Sequence, residues 1–298
     1  MPEADPALPE KSVIEVLHGL GRHWVGDGFP VQTLFAYPER GPELSPFLLL
    51  DHAGPHAFAP TTQRRGVGAH PHRGFETVTL VFAGEVEHRD SAGGGGTIGP
   101  GDVQWMTAGA GIVHEEFHSP RFAASGGNFE VAQLWVNLPA ARKRTPARYQ
   151  AITADRIPER TLAEGRARVR IVAGSFPVGS DIVQGPAETH SPVNVWDVQV
   201  VEDGPLALSL PDGQTALLVV LSGSLTLSEG SVAARDSSIR FTREGVRLVV
   251  GATHGTHVLV LAGAPLHEPI AGSGPFVMNT PDELAQAYAD HRRGRLGH

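Results

Sequence analysis

The sequence predicts an all-β protein built from two β domains of similar design, with a short helix near its C-terminus. Short apolar or alternating segments recur along the 298 residues, and 36 glycines and 24 prolines are spread between them. That pattern is typical of many short strands joined by turns. The segments LVFAGEVEHRDS (80–91) and VVLSGSLTLSEG (219–230) share one pattern of apolar and polar residues, with a glycine at the same position. This echo indicates an internal repeat; a single β-sandwich with long insertions is the alternative.

The strands of the first half are predicted from alternation and from the turn residues between them. PFLLLDHA (46–53) is an apolar run, and TVTLVF (77–82) continues through Ala83 and Gly84 into EVEHRD (85–90). The latter pair is typical of two strands joined by a glycine-containing turn. Residues 91–102 are so rich in glycine that only a loop or tight turn is expected. Further strands are expected at 102–108, 111–117 and 130–139.

The alternation is lost between residues 140 and 165, which predicts a connector with a helical turn between two domains. We therefore expect an N-terminal domain at 1–140 and a C-terminal domain at 141–298. Strand signals resume after the connector at 167–174, 195–201, 215–230, 247–252 and 257–263.

One helix is predicted, at about 281–293, as part of the C-terminal domain. Thr280 is an N-cap candidate, Pro281 suits the first helical position, and Glu283 completes a capping box. The residues that would share one face of this helix are Leu284, Ala287, Tyr288 and His291.

Composition excludes several classes of function. The chain has no cysteine, so a disulfide framework and thiolate metal sites are excluded, and any metal must be bound by nitrogen and oxygen. The net charge of −8 argues against direct nucleic-acid binding, and the basic runs at 141–144 and 291–295 are expected to be solvated. Residues 1–12 do not resemble a signal peptide, and no run approaches about 20 apolar residues. A cytoplasmic protein without membrane association is expected.

Two strand segments each present a pair of metal-binding side chains. His70 and His72 are separated by one residue, and so are His114 and Glu116. Because side chains alternate along a strand, each pair is expected on one face, with Glu115 on the opposite face. Gly74 and Glu76 would share the parity of the first pair if one strand continued through them.

Three imidazoles and a carboxylate suit a first-row divalent ion and would leave open positions for substrate, water or dioxygen. Most of the 15 histidines must be ordinary surface or hydrogen-bonding residues. The combination of two closely spaced pairs distinguishes these four residues from the others. His88 could line the same pocket or be a plain strand histidine.

Three segments carry a family resemblance. The resemblance is to the pirin family of the cupin superfamily, in residue identity and in order along the chain. It is carried by HPHRGFETVT (70–79), GDVQWMTAGAGIVHEE (101–116) and GPFVMNTPDE (274–283). The resemblance extends from about Val13 to the C-terminal helix. The general cupin spacing fits more loosely, because His114 lies two residues beyond its usual place.

The resemblance implies two tandem cupin barrels, of the double-stranded β-helix or jelly-roll type, with a metal in the N-terminal one. The implied ligands are His70, His72, His114 and Glu116. Glu76 would support the ligands or line the pocket, and it remains the alternative ligand. The C-terminal cupin domain is expected to lack metal ligands, since the approximate counterparts of the four are Ser209, Pro211, Thr253 and Gly255.

The activity implied by the resemblance is a quercetin 2,3-dioxygenase-type ring cleavage of a flavonol or related phenolic by O2. Glu116 would then act both as ligand and as acceptor of the substrate proton. The implied metal is Fe(II), with Mn, Co, Ni, Cu and Zn as alternatives. A redox-responsive regulatory protein acting through protein partners is the alternative function, and an inert structural metal site is a third. A monomer is the default expectation.

Overall fold

The structure is a computed structural model that describes residues 8–296. The first seven residues of the acidic N-terminal stretch lie outside the described residues, as do the last two of the chain.

Up to residue 154 the strands are β1 (Val13–His18), β2 (Arg22–Val25), β3 (Phe29–Ala36), β4 (Phe47–Phe58), β5 (Gly66–His72), β6 (Phe75–Ala83), β7 (Val86–Asp90), β8 (Gly95–Ile98), β9 (Val103–Thr107), β10 (Ile112–His118), β11 (Gly127–Asn137) and β12 (Arg148–Ile152). The same part contains the helices α1 (Tyr37–Leu44) and α2 (Pro120–Ser125).

From residue 155 to 265 the strands are β13 (Glu159–Leu162), β14 (Ala167–Ala173), β15 (Ser175–Val178), β16 (Asp181–Gln184), β17 (Val193–Val200), β18 (Gly204–Ser209), β19 (Thr215–Ser222), β20 (Ser224–Thr226), β21 (Val232–Ala234), β22 (Ser237–Phe241), β23 (Arg247–Ala252) and β24 (His257–Gly263). The C-terminal segment contains β25 (Ala271–Ser273), β26 (Phe276–Met278) and α3 (Pro281–Arg292).

These elements form two compact units. The first unit comprises residues 20–154 and 266–296, and the second comprises 8–19 and 155–265. The first unit contains a seven-stranded sheet in the order β12-β9-β6-β11-β4-β3-β2 and a four-stranded sheet in the order β5-β10-β7-β8. Apolar side chains of both sheets, such as Phe29 and Val86, belong to one buried cluster. The core of the first unit therefore lies between its two sheets.

The second unit repeats this design. Its seven-stranded sheet has the order β1-β22-β19-β24-β17-β14-β13, and its four-stranded sheet has the order β18-β23-β20-β21. The large cluster between them includes Trp196, Leu218 and Val250, all buried. The predicted all-β class with two domains of similar build is confirmed.

The internal echo falls at the same structural position in both units. Gly84 separates β6 from β7 and Gly223 separates β19 from β20, at the point where the chain leaves the seven-stranded sheet for the four-stranded one. Their φ angles are 82° and 71°, a region that glycine adopts readily. A Cβ atom would lie 2.7 Å from the Phe129 ring at Gly84 and 2.3 Å from Thr256 Oγ1 at Gly223. Both positions therefore require glycine.

The two units differ from the division expected at residues 140 and 141. β1 pairs with β22, which places the start of the described chain in the second unit. The segment 266–296 belongs to the first unit because Phe276, Ala287 and Leu296 form a buried cluster with Val113 of β10. The region 140–165, expected as a connector, contains 3-10 turns and also β12, which pairs with β9.

The predicted C-terminal helix is confirmed, both in its position and in its N-terminal capping box. α3 begins at Pro281 and ends at Arg292. Thr280 Oγ1 accepts a hydrogen bond from the Glu283 backbone N–H, and the Glu283 carboxylate accepts one from the Thr280 N–H, each over 3.2 Å. No helix within residues 8–296 is long and apolar enough to cross a membrane.

Candidate metal centre

Two neighbouring antiparallel strands carry the four predicted ligands. His70 and His72 lie on β5, and His114 and Glu116 lie on β10. The register places His114 opposite His70 and Ile112 opposite His72, and it shifts between His114 and Glu116. The pairing of the two strands thus brings both pairs of side chains to one region of the four-stranded sheet.

The three imidazoles lie against one another. The ring centroids are 4.2 Å apart for His70 and His114, 4.9 Å for His72 and His114, and 4.9 Å for His70 and His72. One nitrogen of each ring lies within 4.8 Å of a nitrogen of the others, close enough to bind a single ion. A second group with the same mutual distances comprises His88, His114 and Glu116, so His114 is shared by both groups.

The hydrogen bonds of the rings leave Nε2 of each histidine available. His70 Nδ1 donates to the Gly68 carbonyl over 2.8 Å, and His72 Nδ1 donates to the Pro275 carbonyl over 3.4 Å. A carbonyl can only accept, so both protons lie on Nδ1. His114 Nδ1 faces His88 Nδ1 at 3.3 Å. Within the described part of the chain, the buried His114 Nε2 has no hydrogen-bond partner.

His72 and His114 are neutral at physiological pH. Burial lowers the pKa of His72 to about 3, with a smaller contribution from His70. Burial also lowers the pKa of His114 well below its usual value, and the neighbouring imidazoles add to this effect. A neutral imidazole has the lone pair that a metal requires. The donor set and the orphaned Nε2 atom therefore fit a first-row divalent ion.

Amide donors from the opposite sheet orient the Glu116 carboxylate. Gln104 Nε2 donates to Glu116 Oε1 over 3.1 Å, and Gln133 Nε2 donates to Glu116 Oε2 over 3.0 Å. Glu116 is 3% exposed. Glu115, the next residue, forms an ion pair with Arg64 over 2.8 Å and is partly exposed, as the alternation of side chains requires.

Glu76 lies outside both groups of potential ligands found within residues 8–296. It is fully buried, and its Oε1 atom accepts a hydrogen bond from Thr107 Oγ1 over 2.7 Å. The expected shared parity with His72 is lost because the chain turns at Arg73 and Gly74, where Gly74 has φ 91°. β6 then enters the seven-stranded sheet, whereas β5 belongs to the four-stranded one.

A cavity reaches this centre between the two sheets of the first unit. Its volume is about 40 Å³, which is room for a few water molecules and is well below the usual size of a small-molecule site. Asp51 is its second carboxylate: Thr33 Oγ1 donates to it over 2.5 Å, and burial raises its pKa. The residues that line the cavity are Val25, Phe29, Val31, Asp51, Ala53, Val67, His70, Glu116, Val131 and Gln133.

Sequence reasoning missed several polar residues of the site. Gln104, Gln133 and Asp51 lie on three strands of the seven-stranded sheet, and Asp90 follows His88 on β7. Their signal in the sequence is a polar side chain among the buried positions of a strand, which usually marks a hydrogen-bonded group. Assigning the partner requires the pairing of distant strands.

The two repeated sheet pairs, with a buried histidine and glutamate cluster in one of them, define a two-domain cupin protein with a metal-binding site. The profile of the pirin family matches residues 28–136, and that of the pirin C-terminal cupin domain matches 195–297. The chain belongs to the pirin family.

Relatives of this chain share most of its length. A Pseudomonas aeruginosa protein named "Putative quercetin 2,3-dioxygenase" is 52% identical over 96% of this chain and 98% of its own. The crystal structure of a quercetin 2,3-dioxygenase from Acinetobacter baumannii has a TM-score of 0.92 and 51% identity, covering 96% and 98% of the two chains. A bacterial pirin from Escherichia coli in complex with nickel(II), at 19% identity and TM-score 0.62 over 84% and 99%, shares the fold.

Proposed function

We propose that this chain is a metal-dependent dioxygenase that cleaves a flavonol or related phenolic with O2 in a quercetin 2,3-dioxygenase-type reaction. The observation that carries the proposal is the cavity, which joins His70 and Glu116 of the metal centre to an apolar wall. The names of the two closely similar bacterial proteins support the same reaction class.

The proposed ligands are His70, His72, His114 and Glu116. Fe(II) is the first choice of metal, and Mn, Co, Ni, Cu and Zn are alternatives, since imidazole and carboxylate ligands suit all of them. A bound redox-active ion would supply Lewis acidity and a route for electrons between a phenolate and dioxygen. Glu76 remains the alternative ligand; its Oε1 atom accepts a hydrogen bond from Thr107 Oγ1.

The lining of the cavity combines apolar and hydrogen-bonding side chains, which suits the chemistry of an aromatic substrate with hydroxyl groups. Val25, Phe29 and Val31 contribute apolar surface to the cavity. Such walls bind an aromatic ring and keep water away from the reacting atoms. Asp51 and Gln133 offer hydrogen-bonding groups that could orient substrate hydroxyls.

Glu116 is the proposed proton acceptor. It lines the cavity, and its two oxygens are held by Gln104 and Gln133, so its orientation is fixed before the substrate binds. It would take the proton of the flavonol 3-hydroxyl as the ring becomes nucleophilic. Both atoms of O2 then enter the organic product, the central ring opens, and one ring carbon leaves as carbon monoxide.

The test is quercetin turnover by the full-length protein, reconstituted anaerobically with Fe(II) and then exposed to air. Loss of flavonol absorbance and release of carbon monoxide are measured together. We expect His72→Ala to abolish turnover and Glu116→Gln to lower it by at least about 100-fold, the scale of general-base catalysis. Glu115→Gln is the matched control, because this neighbouring carboxylate points to the opposite face, and it should retain activity.

Absence of turnover with any first-row metal, in protein that binds the metal tightly, would overturn the dioxygenase proposal. That result would favour the alternative of a metal-dependent regulatory protein that acts through protein partners.

A further inference from the structure

A chain of buried hydrogen bonds leads away from His114 on the side opposite its orphaned Nε2 atom. His114 Nδ1 lies 3.3 Å from His88 Nδ1, and His88 Nε2 lies 2.9 Å from Asp90 Oδ2. The side chains of His88 and Asp90 are both 0% exposed. Tyr149 stacks on His88 with ring centroids 4.8 Å apart and an interplanar angle of 15°. These contacts hold the His88 ring in place.

We propose that His88 and Asp90 are positioning residues that keep the proton of His114 on Nδ1 and so reserve Nε2 for the metal. The proposal rests on the ligand set proposed above, and it assigns a role to two residues that do not touch the metal themselves.

Asp90 determines which atoms donate and which accept along this chain of hydrogen bonds. Its Oδ1 atom accepts the backbone N–H groups of Ala92 and Gly94, each over 2.9 Å. An ionised carboxylate only accepts, so its Oδ2 atom must receive a proton from His88 Nε2. His88 Nδ1 is then unprotonated, and it must accept a hydrogen bond from His114 Nδ1–H. The Nε2 atom of His114 is left unprotonated, as a metal ligand must be.

The same contacts argue against His88 as a ligand, although it lies within 4.8 Å of His114 and Glu116. Its Nε2 atom is engaged by Asp90, and its Nδ1 atom is directed at His114. Partners of this kind outside the coordination shell orient a metal-binding histidine and fix its tautomer.

Asp90→Asn tests the direction of the chain with almost no change in shape. The two backbone N–H groups keep the amide oxygen at the Oδ1 position, so the NH₂ group faces His88 Nε2. His88 must then accept there and donate from Nδ1, which forces the His114 proton onto Nε2. The substitution therefore weakens metal binding through His88 and His114, although the substituted side chain itself contacts neither the metal nor a ligand.

The experiment measures the Co(II) dissociation constant of full-length apoprotein by competition with a chelating dye. Asp90→Asn and His88→Phe, which keeps a ring against Tyr149, are each expected to weaken Co(II) binding about 10- to 100-fold. His52→Phe is the matched control: His52 is also a buried histidine with a carboxylate partner, Glu130 at 3.1 Å. The control should bind Co(II) like the parent, and the thermal midpoint of each apoprotein is measured to detect misfolding.

X-ray absorption of the Co(II) proteins counts the bound imidazoles. Three bound imidazoles in both the parent and His88→Phe support the proposal. Loss of one bound imidazole in His88→Phe would show that His88 is itself a ligand, and this result would overturn the proposal. Unchanged affinity in Asp90→Asn, or an equal loss in His52→Phe, also overturns it. If His72→Ala binds Co(II) as tightly as the parent, the ligand set fails instead, so the two failures are distinguishable.

Discussion

Gln133 donates a hydrogen bond from its Nε2 atom to Oε2 of Glu116 over 3.0 Å. The two residues lie on different sheets of the first unit, Gln133 on β11 and Glu116 on β10. The hydrogen bond therefore spans the core at the point where the cavity meets the metal centre, and both residues line that cavity.

Removing this donor should lower activity more than metal affinity. A hydrogen bond to a charged group contributes about 1.5–3 kcal/mol, so Gln133→Met is expected to reduce quercetin kcat/KM roughly 10- to 100-fold. Gln199→Met, at an exposed position of the second unit, should have no effect. Parent-like activity in Gln133→Met would show that Glu116 keeps its orientation without the hydrogen bond from Gln133.

Filling the cavity should weaken substrate binding and spare the metal. Val25 lines the cavity at the end of the edge strand β2 and is only partly buried. Overpacking costs about 1–3 kcal/mol, so Val25→Phe is expected to raise the KM for quercetin about tenfold with an unchanged Co(II) affinity. Val25→Ala enlarges the cavity and should keep a KM near the parent value. A parent-like KM in Val25→Phe would place the substrate elsewhere.

Metal stoichiometry tests the division of roles between the units. Both groups of potential metal ligands found in residues 8–296 lie in the first unit. We expect one Co(II) per chain by titration, and none after His72→Ala. A second equivalent that persists in His72→Ala would contradict the prediction that the C-terminal cupin domain lacks a metal site.

Local periodicity predicts the fold class and the common face within each pair, whereas the resemblance to the pirin family implies that the two pairs form one site. The spacing of one residue within each pair fixes the face of a strand, and β5 and β10 are neighbours in the same sheet. The assignment of His70, His72, His114 and Glu116 as ligands remains a prediction.

The supporting contacts could not be read from the sequence because they join distant strands. Gln104 and Gln133 reach Glu116 only through the packing of two sheets. The turn at Arg73 and Gly74 separates β5 from β6, which alternation alone merged into one strand. The packing of 266–296 in the first unit likewise depends on tertiary contacts, such as Arg73 donating to Asp290 over 2.9 Å.

Lys143 offers a test of buried charge in the same unit. It is 1% exposed, and its Nζ atom donates to the carbonyls of Gly74 and Val277 over 2.8 Å and to Asn137 Oδ1 over 2.5 Å. Burial lowers the pKa of Lys143 to about 7, against weaker opposing effects of two glutamates.

A lowered pKa makes stability depend on pH with a definite sign. Between about pH 7 and the ordinary pKa of 10.5, the unfolded chain binds a proton that the folded protein lacks. The free energy of unfolding should therefore rise with pH in this window, by about 2 kcal/mol from pH 7 to pH 9 for a pKa shift of this size. Below pH 7 both states are protonated, and the buried charge weakens the fold by a constant amount.

Urea unfolding at pH 7 and pH 9 measures this difference. The parent and the neighbouring exposed-site control Arg142→Met should both gain stability at pH 9, whereas Lys143→Met should lose that gain. Equal pH dependence in Lys143→Met and the parent would contradict the prediction. It would mean that the three oxygen acceptors, which match the three protons of an ammonium group, keep Lys143 charged in the folded protein despite its burial.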